Sequence, residues 1–300
     1  MNPRSLVPPR PVWLLFAAIH LATAQGVVRY TSNTALHDYF IVAHQDDWQL
    51  FMGDIVAKEI RAGNPATFIY LTSGDDGRQD ELYWQTRERA ALQSTRFIAR
   101  TLGTTGIDPA CSNIKVLTHS IQKCVIGNSQ SYFLRLPDGK RNGAGFAGHG
   151  YQSMRKLRAE KISTISPVDG SETYVGWNDL LSTVETLIKS SSGDGGVLIH
   201  STDPSISANP HDHFDHRSTG LLVSDLRKKD NWDARYYVGY ALATRAPNRS
   251  GEETREKTSI FLAYDGEMMR VNKTWGAYRE HPSFYSQCME RTYARKARRR

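Results

Sequence analysis

Two short polar clusters carry residue types that can do chemistry together. The first is Ala43-His44-Gln45-Asp46-Asp47-Trp48, and the second is His211-Asp212-His213-Phe214-Asp215-His216-Arg217. His44 and Asp47 are three positions apart, as are His213 and His216. Residues three apart share one face of a helical turn, so each cluster can aim two side chains at one point. Imidazole nitrogen and carboxylate oxygen are donors that Zn²⁺ accepts, and a catalytic zinc keeps one position open for water. Such a water has its pKa lowered to about 7. The neighbours Asp46 and Asp47 cannot point the same way, so one can bind metal while the other stays free as a base. An imidazole can then serve the leaving nitrogen. The donor set suits Zn²⁺, and Fe²⁺ takes similar ligands.

For the clusters to meet, the chain must bring them to one edge of a scaffold. Asp38–Ala43 is a short apolar run that ends at the first cluster and reads as a buried strand. Leu50–Arg61 has helical spacing and stops at Gly63-Asn64-Pro65. Ala66–Thr72 reads as a second strand, Glu81–Leu102 as a long helix closed by Gly103, and Ile114–Thr118 as a third strand. Cys124–Gly150 breaks the rhythm as a hairpin or loop excursion with a strand-like Ser131–Leu136. Helix returns over Trp177–Lys189, strand over Gly195–His200, helix over Arg217–Arg227, strand over Arg235–Ala241 and a last helix over Lys257–Met268. The alternation implies βαβ crossovers, hence an α/β, Rossmann-like three-layer fold with a mainly parallel sheet. Ligand sites in such sheets lie beyond the carboxyl ends of the strands, where both clusters fall.

The segment IVAHQDDWQLF (Ile41–Phe51) resembles the AHPDD(E/D) motif of the LmbE-like and PIG-L-like zinc-dependent N-deacetylases. His213-Phe214-Asp215-His216-Arg217 resembles that family's HPDHR motif. Leu71–Gly77 looks like its strand-end loop, and Tyr83–Glu88 like its arginine-bearing helix start; together the four segments span roughly residues 38–240 in the family's order. The resemblance implies that His44, Asp47 and His216 hold one Zn²⁺, and that Asp46 is the general base activating the metal's water. It implies that His213 stabilises the tetrahedral intermediate or protonates the amine, and that Asp215 orients His213. Arg87 matches an arginine that contacts substrate. The chain departs from the motifs at Gln45 and Phe214, where proline is usual, and at Trp48, where an acid is usual.

The resemblance also implies the substrate, an N-acetylated amino sugar or glycan, with a non-sugar amide or a catalytically silent carbohydrate binder as the competing readings. Trp48 can stack on a sugar ring or belong to the core. Asp75 and Asp76, in a glycine-flanked turn, are turn formers, with Asp76 a candidate substrate contact. His211 and Asp212 are either part of the site or simply polar loop. His200, at a strand end, reads as a satisfied interior histidine, and nothing in the sequence supplies partners for His37, His119, His149 or His281.

The remaining features concern compartment and partners. With 300 residues, 39% of them hydrophobic, the chain is ordinary globular material. Residues 1–24 read as a secretory signal, with Arg4 and Arg10, an apolar Trp13–Ala22 and a small-residue Ala22-Thr23-Ala24 cleavage site. Beyond it no apolar run approaches the roughly 20 residues that span a bilayer. The formal charge of +7 resides in the signal and in Arg291–Arg300, leaving residues 25–290, the catalytic domain, near neutral. No nucleic-acid partner is therefore expected. The basic terminal run 291–300 reads as a solvated tail able to touch a polyanion. Of Cys111, Cys124 and Cys288, the Cys111–Cys124 disulfide closes the shortest loop, with a pairing to Cys288 left open. Asn248-Arg249-Ser250 and Asn272-Lys273-Thr274 match glycosylation acceptors.

Overall fold

The computed structural model describes residues 36–193, 195–272 and 276–298. The signal expected over 1–24 lies outside them. The first half of the chain gives β1 (His37–Val42), α1 (Asp47–Arg61), β2 (Ala66–Thr72), α2 (Glu81–Thr101), β3 (Ala110–Val116), β4 (His119–Ile126) and β5 (Ser129–Leu136). After a long loop come α3 (Met154–Arg158), a small ribbon of β6 (Thr164–Ile165) and β7 (Tyr174–Val175), α4 (Gly176–Ser192) and β8 (Val197–Thr202). The chain continues with α5 (Phe214–Asp230), β9 (Asp233–Tyr237), α6 (Gly251–Asn272), α7 (Ala277–Glu280), α8 (Pro282–Met289) and β10 (Ala294–Ala297).

Eight strands form one sheet in the order β10-β9-β8-β1-β2-β5-β4-β3. The five central strands are parallel, and β10, β4 and β3 add antiparallel edges. Burial on both faces explains why β1 and β2 read as continuous apolar runs rather than alternating ones. Phe40 and Val42 of β1 pack into a core with Trp48, Val56, Ile98 and Phe261, under α1, α2 and α6. Tyr39 and Ile41 point the other way, to Leu180, Val184, Leu222 and Leu226 of α4 and α5. The result is the expected three-layer α/β fold. Among the described residues no helix is long and apolar enough to cross a membrane.

Several elements differ from the sequence reading. The third strand is β3, an exposed antiparallel edge, joined to β4 by the Cys111–Cys124 disulfide across the pair. The excursion after Cys124 is a meander whose β5 re-enters the sheet beside β2. The strand predicted over Arg235–Ala241 ends at Tyr237, because Tyr240–Thr244 coils into a 3₁₀ turn.

The basic terminal segment is a correction of larger consequence. Its described part is no loose tail: β10 pairs with β9 as the last strand of the sheet, with its side chains largely exposed. Arg291 is buried, with its guanidinium on the carbonyls of Arg245 and Gln287. Arg295 pairs with Asp203 and stacks on Tyr236. A charge count misses this because arginine lends an apolar stem and several donors to backbone carbonyls. Cations also suit an edge strand, where they discourage further pairing. Asn248 is likewise committed, giving both amide atoms to the Thr292 backbone rather than standing free as a glycan acceptor.

Lys257 of α6 pins this terminus. It is fully buried, and its Nζ donates to the Cys288 carbonyl (2.9 Å), the Arg291 carbonyl (2.5 Å) and Thr292 Oγ1 (3.1 Å). Lys257→Met keeps the apolar volume and strands these acceptors. The expected cost is on the order of 3 kcal/mol, read as a lower denaturant midpoint at unchanged slope. A midpoint equal to that of the unsubstituted chain would contradict this role.

Candidate metal centre

The chain leaves β1 toward β2 on one side and returns through β8 on the other, so β1 and β8 are neighbours that diverge at their carboxyl ends. Such a switch point opens a crevice. The first cluster follows β1 and the second follows β8, which brings together His44 and His216, 172 positions apart in sequence. Close packing beneath the crevice requires Gly220, where a Cβ would lie 2.3 Å from the Thr202 carbonyl.

Three donor atoms face one point. His44 Nδ1 lies 3.1 Å from His216 Nε2 and 3.5 Å from Asp47 Oδ1, and His216 Nε2 lies 3.0 Å from Asp47 Oδ1. Zinc bonds of about 2.0–2.1 Å to nitrogen and oxygen give a tetrahedron with edges of roughly 3.3 Å, close to these separations. Two of the remaining atoms are occupied so as to leave those three free, while the buried His44 Nε2 has no hydrogen-bond partner among the described residues. Asp47 Oδ2 accepts the backbone N–H groups of Ala43 (3.0 Å) and His44 (2.8 Å). His216 Nδ1 donates to Asp212 Oδ1 at 2.9 Å, which keeps a lone pair on Nε2.

The electrostatics call for positive charge at this point. Burial opposes ionisation of His44, but Asp47, Asp215 and Asp138 outweigh it and hold its pKa well above the ordinary imidazole range. Burial likewise opposes His216, and Asp47 and Asp212 raise it to about 10. Burial opposes the Asp47 carboxylate too, yet His216 and His44 hold it well below the carboxylate range. Two imidazoles 3.1 Å apart cannot both carry a proton on their facing nitrogens. A single divalent cation replaces both protons and satisfies all three donors, so the residues fit the metal.

His213 is the N-cap of α5, and its Nδ1 accepts the backbone N–H of Asp215 at 3.1 Å. Its proton therefore sits on Nε2. Burial, then the neighbouring His44, pushes its pKa down to about 3, so it is a neutral donor. Asp215 therefore faces His213 through its backbone N–H, and its carboxylate lies 3.7 Å from the same Nδ1. That carboxylate also accepts from Gly139 N at 2.7 Å and lies 3.6 Å from His44 Nε2. Gly139 permits the approach, because a Cβ there would sit 2.4 Å from Asp215 Oδ1.

Asp138 escaped the sequence reading. It is buried, with Oδ2 3.6 Å from His44 Nε2 and Oδ1 3.6 Å from His213 Nε2, and burial raises its pKa to about 6. The signal was available, since Asp138 follows a strand exit as His44 does. Asp212, read as site or polar loop, belongs to the site, whereas His211 is exposed. His200 is satisfied by Asp38 and Tyr237, as expected of an interior histidine. His149 has a partner after all, Asp75, at 2.7 Å.

Asp46 stays outside the donor triangle. It lines a cavity of about 340 Å³ together with Arg87, which donates to Asp46 Oδ1 at 2.6 Å. Gln45, in the motif's proline position, bridges the Thr72 carbonyl and Arg87. Trp48 is core: it is 0% exposed, its indole N–H donates to Tyr70, and its ring packs on Phe68, so it cannot stack on a ligand. Asp76 is exposed and does not line this cavity; its neighbour Asp75 is the buried carboxylate, holding Ser73, His149 and the Asp138 backbone.

The profile of the family described as PIG-L, GlcNAc-PI de-N-acetylase, matches residues 39–226. No curated protein sequence matches the chain. Among solved structures, a deacetylase triple mutant of the teicoplanin biosynthetic pathway shares 12% identity over 84% of this chain and 88% of that one, with a TM-score of 0.47. The N,N'-diacetylchitobiose deacetylase from Pyrococcus horikoshii shares 15% identity over 87% of this chain and 83% of that one, with a TM-score of 0.42. The A40926 pseudoaglycone deacetylase Dbv21 shares 12% identity over 87% of this chain and 96% of that one, with a TM-score of 0.44.

Proposed function

The chain belongs to the GlcNAc-PI de-N-acetylase (PIG-L) family, and from that premise we propose that it is a secreted, zinc-dependent hydrolase that removes the acetyl group from an N-acetylated amino sugar or glycan. The observation that carries the reading is the donor triangle of His44, Asp47 and His216, with Asp46 outside it, paired with Arg87 on a cavity. Held there, Zn²⁺ would supply the Lewis acidity that makes water nucleophilic near neutral pH. Asp46 takes the proton of the attacking water and Arg87 keeps its carboxylate in place. His213, neutral with its proton on Nε2, donates toward the oxygen that gains charge as the amide carbonyl becomes tetrahedral. The proton held by Asp46 then passes to the leaving amine. Secretion is supported by the signal-like residues 1–24 and by the Cys111–Cys124 disulfide, since disulfides persist in oxidising compartments.

The test is a panel of N-acetylated mono- and oligosaccharides and non-sugar N-acetyl amines, assayed for free amine with and without a chelator. The reading expects chelator-sensitive amine release that favours sugars. Release confined to non-sugar amides would move the chain to a different substrate class. No release from any member, by metal-loaded protein, would overturn the proposal.

Asp212 gives a narrower prediction. It fixes the His216 ring without touching the metal point, so Asp212→Ala is expected to weaken zinc binding about 10–100-fold. Competition with a chromophoric chelator measures this, and unchanged affinity would remove Asp212 from the site.

A further inference from the structure

Three arginines meet in a pocket that none of the metal donors lines. Helix α5 presents Phe214, Arg217, Ser218 and Leu221 at i, i+3, i+4 and i+7, a single stripe of the helix. Opposite stand Arg155 and Arg158 of α3, and the pocket between the two helices holds about 270 Å³. Arg155 and Arg158 are exposed, so it opens to solvent. No carboxylate lines it. Arg158 is paired with Asp225 at 3.2 Å. Arg155 donates to the Asn142 carbonyl at 2.6 Å, and its guanidinium carbon lies 4.2 Å from the centre of the Phe214 ring. Arg217 lies 5.6 Å from the same ring, and neither it nor Arg155 has an acidic partner among the described residues. Residues 25–290 are near neutral, so this is a local concentration of positive charge rather than a general excess. Guanidinium groups gathered without a counter-charge repel one another, and an anion that they share relieves the repulsion. The pocket adjoins another of about 210 Å³, which shares Phe214 and Arg217 with it and extends to Asp212, the residue that fixes His216.

We propose that Arg155, Arg158 and Arg217 form an oxyanion subsite, which binds a carboxylate or sulfate ester of an acidic glycan while another residue of that glycan lies at the metal centre. The inference rests on the deacetylase reading above and narrows the preferred substrate to N-acetylated glycans that carry acidic groups. Guanidinium suits this role, because its planar fork of donors meets two oxygens at once and its charge does not titrate. Arg155 is already held by the Phe214 ring and the Asn142 carbonyl, so binding orders little that is not ordered beforehand. A neutral glycan would leave the three charges unanswered. The adjoining pocket that extends to Asp212 favours an anion on the glycan itself over one on a separate macromolecule.

The experiment follows amine release from three N-acetylated tetrasaccharides: a neutral one, one with alternating glucuronic acid, and the O-sulfated form of the second. The unsubstituted chain is expected to favour an acidic form over the neutral one by about tenfold in kcat/KM, through KM, and the better acidic form identifies the group. Arg155→Gln and Arg217→Gln should each shrink that ratio about tenfold, and Arg155→Lys, which keeps the charge, should restore part of it. An arginine with a merely structural role would lower activity on all three substrates alike and leave the ratio where it was. Should the variants fail to fold, the unsubstituted chain decides, since about 1 M sodium chloride should abolish the preference. No preference for either acidic form, a ratio unchanged by both glutamine variants, or a preference that persists in high salt would overturn the subsite and leave the deacetylase reading intact. No turnover of any of the three by metal-loaded protein would count against the deacetylase reading. The subsite would then be judged by calorimetric binding of the same tetrasaccharides. Tighter binding of an acidic form that Arg155→Gln weakens supports it, and equal binding of all three, or none, overturns it.

Discussion

Asp46→Asn is expected to leave the metal bound and to cut kcat by roughly 10²–10⁴-fold, the range of a lost general base. The substitution is conservative where it matters for structure. An amide oxygen still accepts from Arg87, whose Nη2 now reaches Asp46 Oδ1 at 2.6 Å, and none of the three converging donor atoms belongs to Asp46. What disappears is a group that can take a proton from water. Steady-state kinetics with elemental analysis of the same preparation separate the two effects. Wild-type zinc with kcat within tenfold of wild type would assign the base elsewhere, and lost zinc would place Asp46 among the ligands.

Asp47→Ala is expected to do the reverse, removing metal and activity together. The carboxylate holds two roles at once. Oδ1 faces His44 and His216, and Oδ2 ties the backbone of Ala43 and His44 in the turn that presents His44. Removing it deletes one of the three converging donors, unpairs two buried N–H groups and takes away the negative charge opposite two imidazoles. Zinc affinity should fall on the order of 10²-fold or more. Without the metal's several kcal/mol of charge stabilisation, turnover should drop by on the order of 10³–10⁴-fold. Equilibrium dialysis against buffered zinc, followed by amine release, measures both. A variant that still binds one zinc with near wild-type affinity would contradict the ligand assignment.

The parts of this fold that are legible in the sequence are those in which one physical signal dominates. The doubly buried strands β1, β2 and β8 are apolar runs ended by polar clusters, and topology then places those clusters together. Asp46 and Asp47 are separable only through the motif resemblance, because adjacent carboxylates look alike until hydrogen bonds distinguish them. Trp48 has no assignable place in sequence, since the aromatic residue that stacks on a ligand is the same residue that fills a core. Nothing directional in the sequence separates Asp75 from Asp76; a positive φ at Asp76 turns it outward while Asp75 turns in. The C-terminal strand is hidden by its charge, because nothing in a run of arginines announces that Asp203, Tyr236 and several carbonyls await them. Asp138 is hidden by an excursion that reads as irregular, although β5 carries it to the same edge of the sheet as His44.

The most direct test of the account is to strip the protein of metal and titrate Zn²⁺ back while following bound metal and amine release from N-acetylglucosamine together. Activity is predicted to return in proportion to the first equivalent and to level off there, with Asp47→Ala recovering neither. Amine release by the stripped protein at the rate of the metal-loaded one would contradict the central claim that His44, Asp47 and His216 hold the metal on which hydrolysis depends.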